Sequence, residues 1–86
     1  MAVDEVVHET KYLRFVLLKK GARTNRYGIL SVNHGAKLGE IKWHGAWFTY
    51  AFFPEIDTLF NDECLCNILA FIRGQIAKRA VQKGDR

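Results

Sequence analysis

The chain has one proline, Pro54, in 86 residues, so proline-rich linkers and polyproline recognition segments are excluded. It has two cysteines, Cys64 and Cys66, too few and too close for a disulfide framework. They fall in a segment that reads as a helix, where side chains two apart point to different sides, and reduced thiols are expected. No run approaches the roughly 18–20 apolar residues that span a bilayer. The start, Met1 to Glu9, is acidic and lacks the basic-then-apolar pattern of a signal peptide, so a cytoplasmic protein with no membrane partner is expected. P-loop, dinucleotide and G-x-S-x-G signatures are missing, as are internal repeats and low-complexity tracts.

What is present is an ordinary globular composition, 49% apolar and 26% charged, too apolar for a disordered chain. A chain of this length supports one core, burying only about 60–65% of its unfolded surface. Residues 1–10 show no sustained periodicity and read as a flexible N-terminal arm. Residues 11–77 read as a single α+β domain, and 78–86 as a basic C-terminal tail.

Within the domain, Leu13, Phe15 and Leu17 alternate with Arg14 and Val16, a half-buried strand. The basic loop 19–26 leads into a second strand at 27–32, and Asn33 and Gly35 suit the turn after it. Ile41 and Trp43 alternate with Glu40 and Lys42 in a third strand. His44 and Gly45 can form a tight hairpin, and a four-residue loop through Ala46 fits nearly as well. In the fourth strand Phe48, Tyr50 and Phe52 oppose Trp47, Thr49, Ala51 and Phe53, and Pro54 ends it. A helix follows, capped by Asn61, with Leu65, Ile68, Leu69, Ile72 and Ile76 forming a stripe that should lie on the sheet. The expected fold is a four-stranded antiparallel meander with one C-terminal helix packed on one face.

A core of this kind absorbs Leu13, Phe15, Leu17, Ile29 or Leu30, Ile41, Trp43, Tyr50 and Phe52. Trp47, Phe53 and Phe48 remain over, and Trp in particular dominates protein-binding hot spots. Trp47, Phe48 and Phe53 are therefore candidate anchors for a protein partner, with Lys42 and His44 at the rim. A second candidate surface is basic. Residues 11–42 carry eight Lys and Arg against Glu40 alone. Arg14, Lys19, Lys20, Arg23 and Arg26 could hold phosphates of a nucleic acid, with Tyr12 or Tyr27 stacking on bases. A third possibility is that a second copy covers the aromatic strand, giving a homodimer.

Catalytic chemistry has few candidates. His8, His34, His44, Cys64 and Cys66 lack metal-ligand spacing, and nothing assembles around Cys64 as a nucleophile. A non-enzyme with no cofactor is expected.

Residues 38–72 read L-G-x-I-x-W, a short turn, W-x-x-Y-x-F-x-P, then C-L-x-x-I-x-x-F-I. The positions are Leu38, Gly39, Ile41, Trp43, Trp47, Tyr50, Phe52, Pro54, Cys64, Leu65, Ile68, Phe71 and Ile72. This pattern resembles small bacteriophage and prophage proteins of unassigned function. The resemblance implies an accessory protein made in the host bacterial cytoplasm that binds host or phage machinery, with inhibition of a defence system as one form of such binding. Phe48 departs from it, standing where a polar or basic residue is expected after the second tryptophan.

Overall fold

The alternation of apolar and polar residues becomes a twisted antiparallel sheet in a computed structural model that describes residues 5–84. Its strands are β1 (Glu5–Glu9), β2 (Leu13–Lys20), β3 (Asn25–Ser31), β4 (Lys37–His44) and β5 (Thr49–Pro54), and helix α1 (Asp62–Gly84) follows. Spatial order matches chain order, β1-β2-β3-β4-β5, and every neighbouring pair is antiparallel. The meander thus has five strands and not four. The additional strand is β1, in a segment expected to be a loose arm; residues 1–4 of that arm lie outside the described residues.

Strand β1 escapes a period-two reading because its register shifts between Val6 and His8. Val6 opposes Val16 and His8 opposes Phe15, leaving Val7 as the extra residue of a bulge. Two contacts fix the strand: Glu9 accepts a 2.8 Å bond from Arg14, and the His8 ring lies 5.5 Å from that of Phe15.

The turns follow local chemistry. Gly21 donates its N–H to the Thr24 carbonyl, and a Cβ on Gly21 would lie 2.3 Å from that oxygen, so only glycine fits. Gly35 takes φ +69° as expected of the β3–β4 turn. The β4–β5 connection is neither a two-residue hairpin nor part of β5. It is one turn of 3-10 helix, Gly45–Trp47, closed by Phe48 at φ 53°, ψ 43°. Trp47 and Phe48 are thereby taken out of the strand that their alternation suggested.

One sheet face carries Leu13, Phe15, Tyr27, Ile29, Ile41 and Tyr50, all buried, and α1 covers it with Ile68 and Phe71. Asn61 caps the helix, accepting the Cys64 N–H at 2.8 Å, and Asp62 and Glu63 occupy its first turn. The expected stripe is only half right. Ile68 is buried and Ile72 packs against the core, but Leu65, Leu69 and Ile76 are exposed. Phe71 decides the rotation: its ring stacks on Phe15 at 4.5 Å and meets Tyr27 edge-on at 4.9 Å. Two aromatic contacts plus the burial of a large ring outweigh leucines at the stripe's margin. The helix continues to Gly84, through most of the segment read as a basic tail; residues 85–86 lie outside the described residues. Among the described residues no helix is long and apolar enough to cross a membrane.

Among the described residues, no second layer covers the other sheet face. Leu18 lies against Gly28, Val16 is buried between its neighbours, and Phe53 is half-buried there under Lys42. Arg26 and Lys37 both reach Glu40 there, and Lys37 hydrogen-bonds it, which holds the Glu40 carboxyl below its usual range.

Candidate functional site

A meander reverses direction at every turn, so alternate turns share an end of the sheet. The β2–β3 turn (21–24) and the β4–β5 turn (45–48) lie at one end, and α1, which starts at the opposite end, returns its C-terminal half there. Two residue sets that stand apart in sequence are thus brought together: Lys19, Lys20, Arg23 and Arg26 from the first turn, and Lys42, His44, Trp47 and Phe48 from the second.

Contacts between the segments confirm the convergence. The Arg79 guanidinium lies 4.2 Å over the Trp43 ring, and its Nη1 donates to the Arg23 carbonyl at 3.2 Å. Helix, first turn and β4 are thereby tied by one side chain. Beneath them, the Tyr27 hydroxyl donates to Gln75 Oε1 at 2.8 Å and accepts from Asn25 Nδ2 at 3.0 Å. The Tyr50 hydroxyl accepts the Asn25 N–H at 3.1 Å. These phenols floor a polar hollow of about 190 Å³ rimmed by Lys20, Arg23, Lys78 and Arg79. That volume is below the roughly 300–1,000 Å³ of small-molecule sites, so an anionic group fits it better than a drug-sized substrate. A second hollow, on the other side of the turn, is lined by Lys19, Arg26, Lys42 and Trp43.

The rings at the tip are open. Trp47 is 70% exposed and Phe48 81%, with His44 edge-on to Trp47 at 4.7 Å and Trp43 edge-on to Phe48 at 6.4 Å. Among the described residues, Lys19, Lys20, Arg23, Lys42 and Lys78 take no carboxylate partner, whereas Arg26 lies 3.5 Å from Glu40.

The remaining predicted residues are placed differently. Phe53 is half-buried on the open sheet face, with Lys42 Nζ 4.6 Å from its ring centre, so it supports the lysine and is not a free anchor. Tyr27 is 4% exposed and cannot stack on a base; its alternation with Gly28 and Ile29 puts it on the helix side. Arg14 is paired to Glu9, and Tyr12 sits at the far end under Lys11, roughly 17 Å or more along β2 from Lys19. The predicted basic set therefore splits, and Trp43, Lys78 and Arg79 join the part that remains. The parity of turns could have assigned both turns to one end; the return of the helix was the signal for Lys78 and Arg79.

The opposite end is acidic. Glu55, Asp57, Asp62 and Glu63 surround the start of α1, beside exposed Ile56 and Leu59. Among the described residues no three His, Cys, Asp or Glu side chains converge to hold a metal ion.

No family model matches the chain, and no solved structure matches it. It is 34% identical over 74 residues to the uncharacterized 9.3 kDa protein of Acholeplasma phage L2, an overlap covering 85% of this chain and 95% of that protein. The chain therefore belongs to the family of small phage proteins that includes this 9.3 kDa protein.

Proposed function

We propose that this phage protein is a non-catalytic binder of single-stranded nucleic acid, acting in the cytoplasm of the host. The observation that supports it is the convergence of five carboxylate-free cations and two exposed rings at one end of the sheet. Cations neutralise phosphates, and Trp47 and Phe48 offer faces on which unpaired bases stack without sequence preference. Double-stranded ligands keep their bases stacked internally and would use only the cations.

Fluorescence anisotropy with a labelled oligothymidylate tests this. With roughly four phosphates contacted, the log–log salt slope is about −2.8, so affinity falls roughly 50-fold between 50 and 200 mM salt. Trp47→Ala loses one stacked base, about 1–3 kcal/mol, and keeps the slope. Lys20→Ala lowers the slope by about 0.7. Binding that ignores salt, or a Trp47→Ala variant that binds as the parent does, refutes the reading.

A second reading is favoured by one observation, the 81% exposure of Phe48 in a left-handed conformation. A bulky ring held out in this way is a protein-docking anchor, with Trp47 beside it and Lys42 and His44 at the rim. In this reading the partner is a host or phage protein, a defence component among them, and the affinity is nearly indifferent to salt.

A further inference from the structure

The polar hollow between the β2–β3 turn and α1 is one-sided in its hydrogen bonding. Its side-chain acceptors are engaged: Gln75 Oε1 accepts from the Tyr27 hydroxyl, the Tyr27 oxygen from Asn25 Nδ2, and the Tyr50 oxygen from the Asn25 N–H. Asn25 Oδ1 accepts the Gly21 N–H at 3.3 Å. Among the described residues no carboxylate lines the hollow. Its donors, by contrast, are idle. Tyr50 is 6% exposed, and its O–H donates to no acceptor among the described residues; the same holds for Gln75 Nε2 and for the second N–H of Asn25 Nδ2. An unused donor on a buried phenol carries a desolvation cost that an entering oxygen removes.

At the rim, Lys20, Arg23 and Lys78 add cations that take no carboxylate among the described residues. Arg79 is already held by Trp43 and the Arg23 carbonyl and is not needed. Idle donors ringed by cations suit a ligand that only accepts hydrogen bonds and carries more than one negative charge. A phosphodiester inside a strand has a single charge and two unesterified oxygens. A phosphomonoester at a strand end has three such oxygens and a charge of about −1.5 to −2 at neutral pH. A phenol, two amides and three cations exceed what the diester can use and match the monoester.

We infer that this hollow seats the terminal phosphomonoester of a single strand, so that the protein holds phosphorylated strand ends in preference to strand interiors. The inference rests on the nucleic-acid reading and adds end recognition to it. The cations and rings outside the hollow, Lys42, Trp47 and Phe48 among them, then serve the nucleotides that follow the end, whatever the end carries.

Unlabelled oligothymidylates of one length, bearing a 5′-phosphate, a 3′-phosphate or hydroxyls at both ends, are set to compete with a labelled hydroxyl-ended strand on the full chain. One phosphorylated form should compete about tenfold better than the hydroxyl form, and which one it is identifies the end that is held. Tyr50→Phe removes the idle O–H and Lys78→Gln a rim cation, and each should cut that ratio by about threefold or more. Tyr50→Phe also loses the acceptor of the Asn25 N–H, so circular dichroism checks its fold, and Lys78→Gln, at an exposed position, carries the test if it unfolds. Lys42→Gln, outside the hollow, should weaken all three forms alike and keep the ratio. Equal competition by the three forms, or a preference that survives the folded hollow variants, overturns the inference. Equal competition leaves the nucleic-acid reading standing, whereas a chain that binds no oligonucleotide overturns both.

Discussion

Replacing Phe48 by glycine should stabilise the protein while weakening ligand binding. Phe48 closes the β4–β5 turn at φ 53°, ψ 43°, where a side chain crowds its own carbonyl at about 1–2 kcal/mol. Glycine escapes that strain but gives back roughly 0.4–1 kcal/mol through the greater freedom of its unfolded chain. The ring contributes little burial in return, being 81% exposed with one edge contact to Trp43. The net gain is about 0.5–1 kcal/mol, which raises the Tm by roughly 3–6 °C in a domain of this size. Urea and thermal unfolding measure it. Asp57 is an internal control, since it also has positive φ, 60°, but a short polar side chain tolerates that conformation, so Asp57→Gly should gain less. The same Phe48→Gly protein should bind oligonucleotide or protein partner more weakly. If it is destabilised, the ring packs more tightly than its exposure says. If it is stabilised and binds normally, the strained ring serves neither reading.

Other outcomes follow from single contacts. Tyr27→Phe deletes the hydroxyl that links Asn25 to Gln75 and should cost about 2 kcal/mol, roughly 10 °C in Tm, with oligonucleotide affinity retained. A loss of affinity at unchanged stability would return Tyr27 to the surface. Gly39→Ala places a Cβ 2.7 Å from the Phe53 carbonyl oxygen and 2.6 Å from the Phe52 ring, and should cost about 1–3 kcal/mol in urea unfolding. Glu40 has its carboxyl lowered from 4.5, first by the Lys37 hydrogen bond. A lowered carboxyl contributes stability above its unfolded value, so this contribution is full above about pH 4.5 and disappears as the pH falls through the folded value. Glu40→Gln should flatten the fall in urea midpoint below pH 4.5, and an unchanged pH profile would count against the Lys37 contact.

Four of the strands were legible because Phe15, Ile29, Ile41 and Tyr50 each sit in an alternating run whose inner set meets one helix. Strand β1 was not, since the bulge at Val7 puts Val6 and Val7 side by side and destroys the period of two. Asn61 and the two acids after it marked the helix start, and the cap is made as expected. The buried helix face was misjudged because a count of aliphatic positions weighs Leu65 and Leu69 with Phe71, while the sheet selects the residue that can stack on Phe15. At the site, exposure of Trp47 was legible as aromatic content beyond the needs of the core. Phe53 was not separable from it, since a ring under a lysine and a ring in solvent have the same sequence signature. Tyr27 shows the converse: its hydroxyl suited a ligand, but its partner Gln75 lies 48 residues away and no local pattern predicts that bond.

The basic end raises a physical problem, because cations gathered without carboxylates repel one another. Part of the answer is the helix: α1 directs its C-terminal, partially negative end toward them. Another part is aromatic. Lys42 rests on Phe53 at 4.6 Å and Arg79 on Trp43 at 4.2 Å, and a ring face stabilises a cation by about 0.5–2 kcal/mol. A ring does not compete with an anion for the cation's N–H groups in the way a carboxylate does. Arg26 and Lys37, by contrast, are engaged by Glu40, and a phosphate would have to displace that pair. Lys42 and Arg79 are therefore held in place by rings, Arg79 also by the Arg23 carbonyl, and their charge stays available. Among the described residues, Lys19, Lys20, Arg23, Lys42 and Lys78 give up no ion pair on meeting an anion, which is what the proposed salt-sensitive phosphate site requires.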